Sequence, residues 1–279
     1  MPPFSISARL KGILRTGKLE SVLHFSSFML FHFTILFWSI AFFFGMWSVS
    51  SDENIPFWSG YLFSIGALAI ISLVSAKRIT KRLRNSFVPL LLSFSAPSLL
   101  SLIDARGEKF AFSLLSAAMF YVAFLALYRI RFAPSDRTAR SFLSISALAA
   151  LFFFYSAAYG FYLNFSVPLS TLVAAFACGS FGAAYQTLFS VLPKNRTRVA
   201  LYSLVIAFGM GEISWMLSFW PFGYLTSGAA ALGFFFMLWD MANSLFTGTL
   251  SRKRTIVYLV TVLALVGLLI GTSPWNIRA

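Results

Sequence analysis

Nine stretches of the chain read as apolar runs long enough, or nearly so, to cross a hydrocarbon core of roughly 30 Å at about 1.5 Å per helical residue. They lie near residues 25–48, 57–75, 86–103, 110–130, 142–164, 168–192, 199–219, 223–248 and 255–273. The polar segments between them are too short to fold as domains of their own. The pattern predicts an all-α fold, a polytopic integral membrane helix bundle of about nine transmembrane helices, with residues 25–279 as a single transmembrane domain. The third run is the irregular one. Pro89 and Pro97 interrupt a short Ser-rich stretch there and predict a kink.

Residues 1–24 have a different pattern. Ile6, Leu10, Ile13 and Leu14 recur at helical spacing with Arg9, Lys11, Arg15 and Lys18 among them, as in a basic amphipathic segment at the cytoplasmic membrane surface. The apolar run that follows is too long for a secretory signal and has no small-x-small cleavage site after it, so it reads as a retained first span.

The charge pattern orients the spans. Lys and Arg crowd into alternate polar segments: the N-terminal arm, residues 77–84, 129–140, 194–198 and 252–254. Together these hold nineteen of the 22 basic residues, leaving Arg106, Lys109 and Arg278 for the opposite side. By the positive-inside rule the basic segments face the cytoplasm, which predicts the N-terminus inside and the C-terminus outside. Adding or removing one span would destroy the alternation.

Composition agrees with lipid as the solvent: 59% of residues are hydrophobic and 11% charged, against roughly 25% charged in soluble domains. The formal charge of +14 would suit a nucleic-acid binder. Its placement at the ends of apolar runs instead points to anionic headgroups at the cytoplasmic face, with no nucleic acid and room for membrane-protein partners. The expected location is the cell (inner or plasma) membrane. With Cys178 as the lone cysteine, no intramolecular disulfide and no cysteine-based zinc site can form.

An ionised side chain near the bilayer centre costs at least about 2.5 kcal/mol on insertion scales, so acids inside apolar runs are candidate sites. There are two, Glu212 and Asp240. Asn243 and Ser244 fall on the same helical face as Asp240. His32 in the first span lies near the expected depth of Asp240, which allows a hydrogen bond between them if the two helices are neighbours, while His24 reads as an interfacial anchor. Gly209, Gly211, Gly179 and Gly182 read as sites of close helix crossing.

Other chemistry is weakly signalled. Gly209-Met210-Gly211-Glu212 looks like the Gly-x-Gly-Asp of presenilin-type intramembrane aspartyl proteases. It has Glu for Asp, lies on the earlier acidic helix and comes without the Pro-Ala-Leu motif, so it assigns no family. No zinc-protease, phosphate-loop or nucleophile-elbow motif is present. The expectation is a small transporter or channel-like protein, without cofactor, handling a proton, cation or small polar solute through Glu212, Asp240, Asn243 and His32. The alternatives are a membrane-embedded enzyme acting on a lipid-linked substrate, with Asp52 and Glu53 at its outer rim, and a noncatalytic membrane subunit or scaffold.

Overall fold

A computed structural model describes residues 32–48, 57–80, 86–134, 136–191 and 195–272. The amphipathic segment expected over residues 1–24, the histidine His24 and the loop acids Asp52 and Glu53 lie outside them. The described residues form nine α-helices and no strand: α1 (His32–Ser48), α2 (Phe57–Thr80), α3 (Phe87–Leu100), α4 (Arg106–Phe132), α5 (Arg137–Asn164), α6 (Leu169–Val191), α7 (Arg196–Leu217), α8 (Tyr224–Thr247) and α9 (Arg252–Thr272). Five of them, α4 to α8, are long and apolar enough to cross a membrane.

Successive helices run antiparallel, and contacts between their ends show this. Trp47 near the end of α1 meets Phe110 at the start of α4, while Arg131 at the end of α4 donates to the Ile79 carbonyl at the end of α2. The Tyr224 hydroxyl at the start of α8 reaches the Leu102 carbonyl just after α3. Consequently the ends carrying Lys77 and Arg78, Arg129 and Arg131, Arg137 and Arg140, Arg196 and Arg198, and Arg252 to Arg254 gather at one end of the bundle. Only Arg106 and Lys109, among the described basic residues, sit at the other.

At the centre stands α5, packed against α3, α4, α6 and α8. Its start is well determined. Asp136 caps it, its carboxylate accepting from the amides of Thr138 (2.9 Å) and Ala139 (3.3 Å), while Arg129 closes the loop with a 2.8 Å ion pair. Desolvation pushes the Asp136 carboxyl up, but the two amides and the guanidinium outweigh it and hold it below its ordinary value of 3.8. A lowered folded-state pKa gives stability that is present above the unfolded value and lost as pH falls through the folded one. Asp136→Ala should therefore lower the thermal midpoint at neutral pH and soften the loss of stability on acidification below about pH 4. An unchanged midpoint at neutral pH would show that the cap contributes nothing.

The expected third span is shorter than the 86–103 run. At 14 residues α3 covers about 21 Å, and beyond Leu100 the chain tightens into i→i+3 bonds from Leu102 to Leu99 and from Ile103 to Leu100. Pro97 inside the helix removes the backbone donor that would otherwise meet the Ser93 carbonyl. A helix this short is tolerated because it is enclosed by α2, α4, α5 and α6 rather than by lipid. Gln186 on α6 completes it, accepting from the Val88 amide at 2.8 Å beside Pro89 in the first turn.

Serine is abundant in the helices, and most of these hydroxyls donate to the carbonyl three or four residues back, as at Ser93, Ser113, Ser146 and Ser203. They are satisfied within their own helices. At the end of α8, Gly248 adopts the left-handed conformation (φ 66°), and the Thr249 amide returns to the Ser244 carbonyl. That turn sets the angle at which α9 leaves.

Candidate functional site

Three separate places hold the four candidate residues. Asp240 and Asn243 share one face of α8. His32 lies on α1 and Glu212 on α7.

Asp240 sits about 10 Å from the basic end of α8, seven residues before Thr247. Its carboxylate accepts a hydrogen bond from the Tyr258 hydroxyl and pairs with the Arg254 guanidinium at 3.5 Å. Tyr258 also meets the Ser244 hydroxyl at 3.2 Å, and Arg254 reaches Thr249 at 3.2 Å. Thus Asp240 and Ser244, four residues apart on α8, face Arg254 and Tyr258, four apart on α9. The two helices are clasped at one end of an antiparallel hairpin. Asn243 lies beside this cluster with its Oδ1 buried and without a partner among the described residues. Arg254 and Tyr258 were not candidates from sequence, although their i, i+4 spacing matches that of Asp240 and Ser244 across a short turn.

His32 does not pair with Asp240. Its Nδ1 lies 3.0 Å from the Tyr121 hydroxyl of α4. The two residues do not share a neighbourhood, because α1 packs on α4 through Phe42 stacked on Phe120 and Phe43 edge-on to Phe110. Asp240 belongs to the α8–α9 pair, and α5 packs against both α4 and α8. Depth along a helix follows from residue count. Azimuth does not.

Glu212 occupies the opposite half of the bundle. It lies sixteen residues into α7, about 24 Å from the basic end, and only about 8 Å below the helix's other end. Its side chain points away from the core and is exposed, with no hydrogen-bonding or ion-pair partner among the described residues. It lines a cleft of about 510 Å³ between α6 and α7, together with Leu169, Ser170, Val173, Ala174, Ala177, Phe208, Gly211 and Trp215. The cleft exists because small residues line it: a methyl group added at Gly211 would reach ordinary van der Waals contact with Val173 and Ala177. Apolar walls around an outward-facing carboxyl make this the most chemically distinctive place on the molecule.

Between the levels of Glu212 and Asp240 the interior is filled. Tyr155, Tyr159, Phe176, Phe120 and Phe124 are fully buried there. The two tyrosines bond locally, Tyr155 with Ser180 at 2.7 Å and Tyr159 to the Ser214 carbonyl at 2.9 Å, and the half-buried Trp239 donates to Thr187 at 2.9 Å. The two acids are thus served by different surfaces. Among the described residues no three His, Cys, Asp or Glu side chains cluster to hold a metal ion.

A family model described as "Protein of unknown function (DUF5656)" matches residues 33–272, so the chain belongs to the DUF5656 family. No curated protein and no solved structure matches it.

Proposed function

We propose that this member of the DUF5656 family is a nine-span protein of the cell (inner or plasma) membrane, with its basic end in the cytoplasm beside anionic headgroups, that binds a proton, cation or small polar solute at Glu212. Its class is a small transporter or channel-like protein. The ligand enters from the lipid-facing flank between α6 and α7, because the aromatic side chains that fill the interior leave the flank as the approach to this carboxyl. The observation that carries the reading is the exposed Glu212 in an apolar cleft at membrane depth, a placement that costs free energy and serves no packing role inside the bundle. Asp240 has a different part: its bond to Tyr258 and pairing with Arg254 hold α9 to α8.

Flux of protons, cations or small solutes in reconstituted vesicles tests the assignment. Glu212→Gln should reduce it at least tenfold, whereas Asp240→Asn should leave the cleft working and loosen α9. Unchanged flux in Glu212→Gln refutes the reading, and flux lost in Asp240→Asn with the fold intact would move the site to α8. The orientation is tested separately. A reporter fused after Ala279 should lie outside and one inserted near Lys194 inside, and the reverse result would overturn the cytoplasmic assignment of the basic end.

A further inference from the structure

We infer, resting on the reading of Glu212 as the binding carboxyl, that the ligand of its cleft is a lipid-soluble organic monocation. It is a protonated amine or a quaternary onium ion, with a single positive centre and an apolar body around it.

Charge sets the first limit. Glu212 is the one acid that lines the cleft, and it has no hydrogen-bonding or ion-pair partner among the described residues. Only Arg106 and Lys109, among the described basic residues, sit at that end of the bundle, and both belong to α4, which packs on α2, α3 and α5. The carboxylate therefore keeps one negative charge for whatever enters, in surroundings where an unpaired charge is costly. A ligand of charge +1 removes that cost, and an anion adds to it.

The supply of oxygen atoms sets the second. Besides Glu212, the polar side chains lining the cleft are the Ser170 hydroxyl and the Trp215 indole, which only donates. The backbone carbonyls of these stretches already take part in the hydrogen bonds of α6 and α7. Ca²⁺ takes about six to eight oxygens and Mg²⁺ an octahedral set, and a channel strips an alkali ion by offering rings of carbonyls. A carboxylate and a hydroxyl replace half of such a shell at most. A neutral polar solute fares no better, since its own donors and acceptors need partners that Val173, Ala174, Ala177 and Phe208 do not have. An organic cation needs neither. Its alkyl or aryl groups lie against the apolar walls, and one carboxylate neutralises it.

Volume and depth agree. A proton needs no cavity, whereas the cleft measures about 510 Å³, within the roughly 300 to 1,000 Å³ of pockets that take whole ligands. Glu212 lies about 8 Å below the end of its helix. An amphiphilic cation dissolved in a bilayer settles about 5 to 10 Å into the boundary of headgroups and acyl chains, so it reaches the cleft from the lipid flank at the level of the carboxyl.

The test is equilibrium dialysis of the full chain in nanodiscs of zwitterionic phosphatidylcholine, with tetraphenylphosphonium as the probe, a monocation whose charge no base can remove. Binding should be saturable at one probe per chain. Glu212→Gln should weaken it at least about tenfold. Ala174→Phe should do the same, because it fills the cleft from an exposed position and leaves the carboxyl in place. Both variants should keep the parent's SDS unfolding midpoint, and Asp240→Asn should leave binding within about twofold. At constant ionic strength benzyltriethylammonium should compete, whereas sodium, potassium, calcium and the uncharged triphenylphosphine oxide should not. Displacement by the inorganic cations, equally tight binding of triphenylphosphine oxide, or binding that ignores Glu212→Gln or Ala174→Phe would overturn the inference. Flux through the same variants separates the two proposals. Proton or alkali-cation flux that requires Glu212, with no binding of the probe, would keep the functional reading and remove the organic cation. Binding and flux that both ignore Glu212 would remove the two together.

Discussion

Gly228→Ala should destabilise the bundle by about 3 kcal/mol, the upper part of the usual range for overpacking. A methyl group at this position would run into Ser156 Oγ and lie 2.8 Å from Ser156 N and 2.9 Å from Ser156 Cα. The hydroxyl could swing aside, as it has no partner among the described residues. The amide nitrogen and the α-carbon cannot. The two helices must then separate, and the one displaced is α5, which also packs against α3, α4 and α6. Gly182 offers a useful contrast, because an added methyl group meets the Phe87 ring rather than backbone, and a side chain can turn. Gly107→Ala, with open space around it, should stay within about 0.5 kcal/mol of the parent. Reversible unfolding by SDS titration in mixed micelles measures all three. A Gly228→Ala midpoint equal to that of Gly107→Ala would mean that the α5–α8 crossing is not as tight as these distances require.

The crossing also shows what a single sequence hides. Gly179 and Gly182 were legible as close-approach positions, and they accept the Phe154 and Phe87 rings. Gly228 matters more because it faces the backbone of Ser156, a residue 72 positions earlier, and no local pattern announces such a pairing. Helix positions were far more legible. The runs at 168–192 and 223–248 correspond to Leu169–Val191 and Tyr224–Thr247. Those at 110–130 and 142–164 lie inside helices that begin earlier, at Arg106 and Arg137. Hydropathy finds the apolar part of a helix, while backbone hydrogen bonds continue into its charged ends. The acids themselves were visible because carboxyls stand out in apolar sequence. Their orientation was not, since a helix in lipid is apolar on both its inner and outer faces, and the usual amphipathic signal that separates them is missing. So Glu212 could be found but not aimed. The partners of Asp240 lay beyond a turn whose angle depends on the left-handed Gly248.

Replacing Tyr155 by Ala should have an effect of the same size, and it tests what holds the centre together. Tyr155 is completely buried, its ring stacked on Phe176 with centroids 4.3 Å apart and its hydroxyl 2.7 Å from Ser180 Oγ. Truncating a buried aromatic costs about 3 to 5 kcal/mol, because it opens a cavity whose walls no longer have the ring to attract. In a membrane the lower end of that range applies, because burial from lipid adds no transfer term and packing alone supplies the stabilisation. Tyr155→Phe isolates the hydroxyl. Ser180 also donates to the Phe176 carbonyl at 2.5 Å and so keeps a partner when the phenol oxygen is removed, which limits the cost to about 1 kcal/mol or less. The two variants should therefore differ by about 2 kcal/mol or more, roughly thirtyfold in the unfolding constant. If Tyr155→Phe proved as damaging as Tyr155→Ala, the hydrogen bond rather than the stacked rings would be holding α5 to α6. The serine-rich interior would then have to be understood as a polar network instead of side chains satisfied one by one within their own helices.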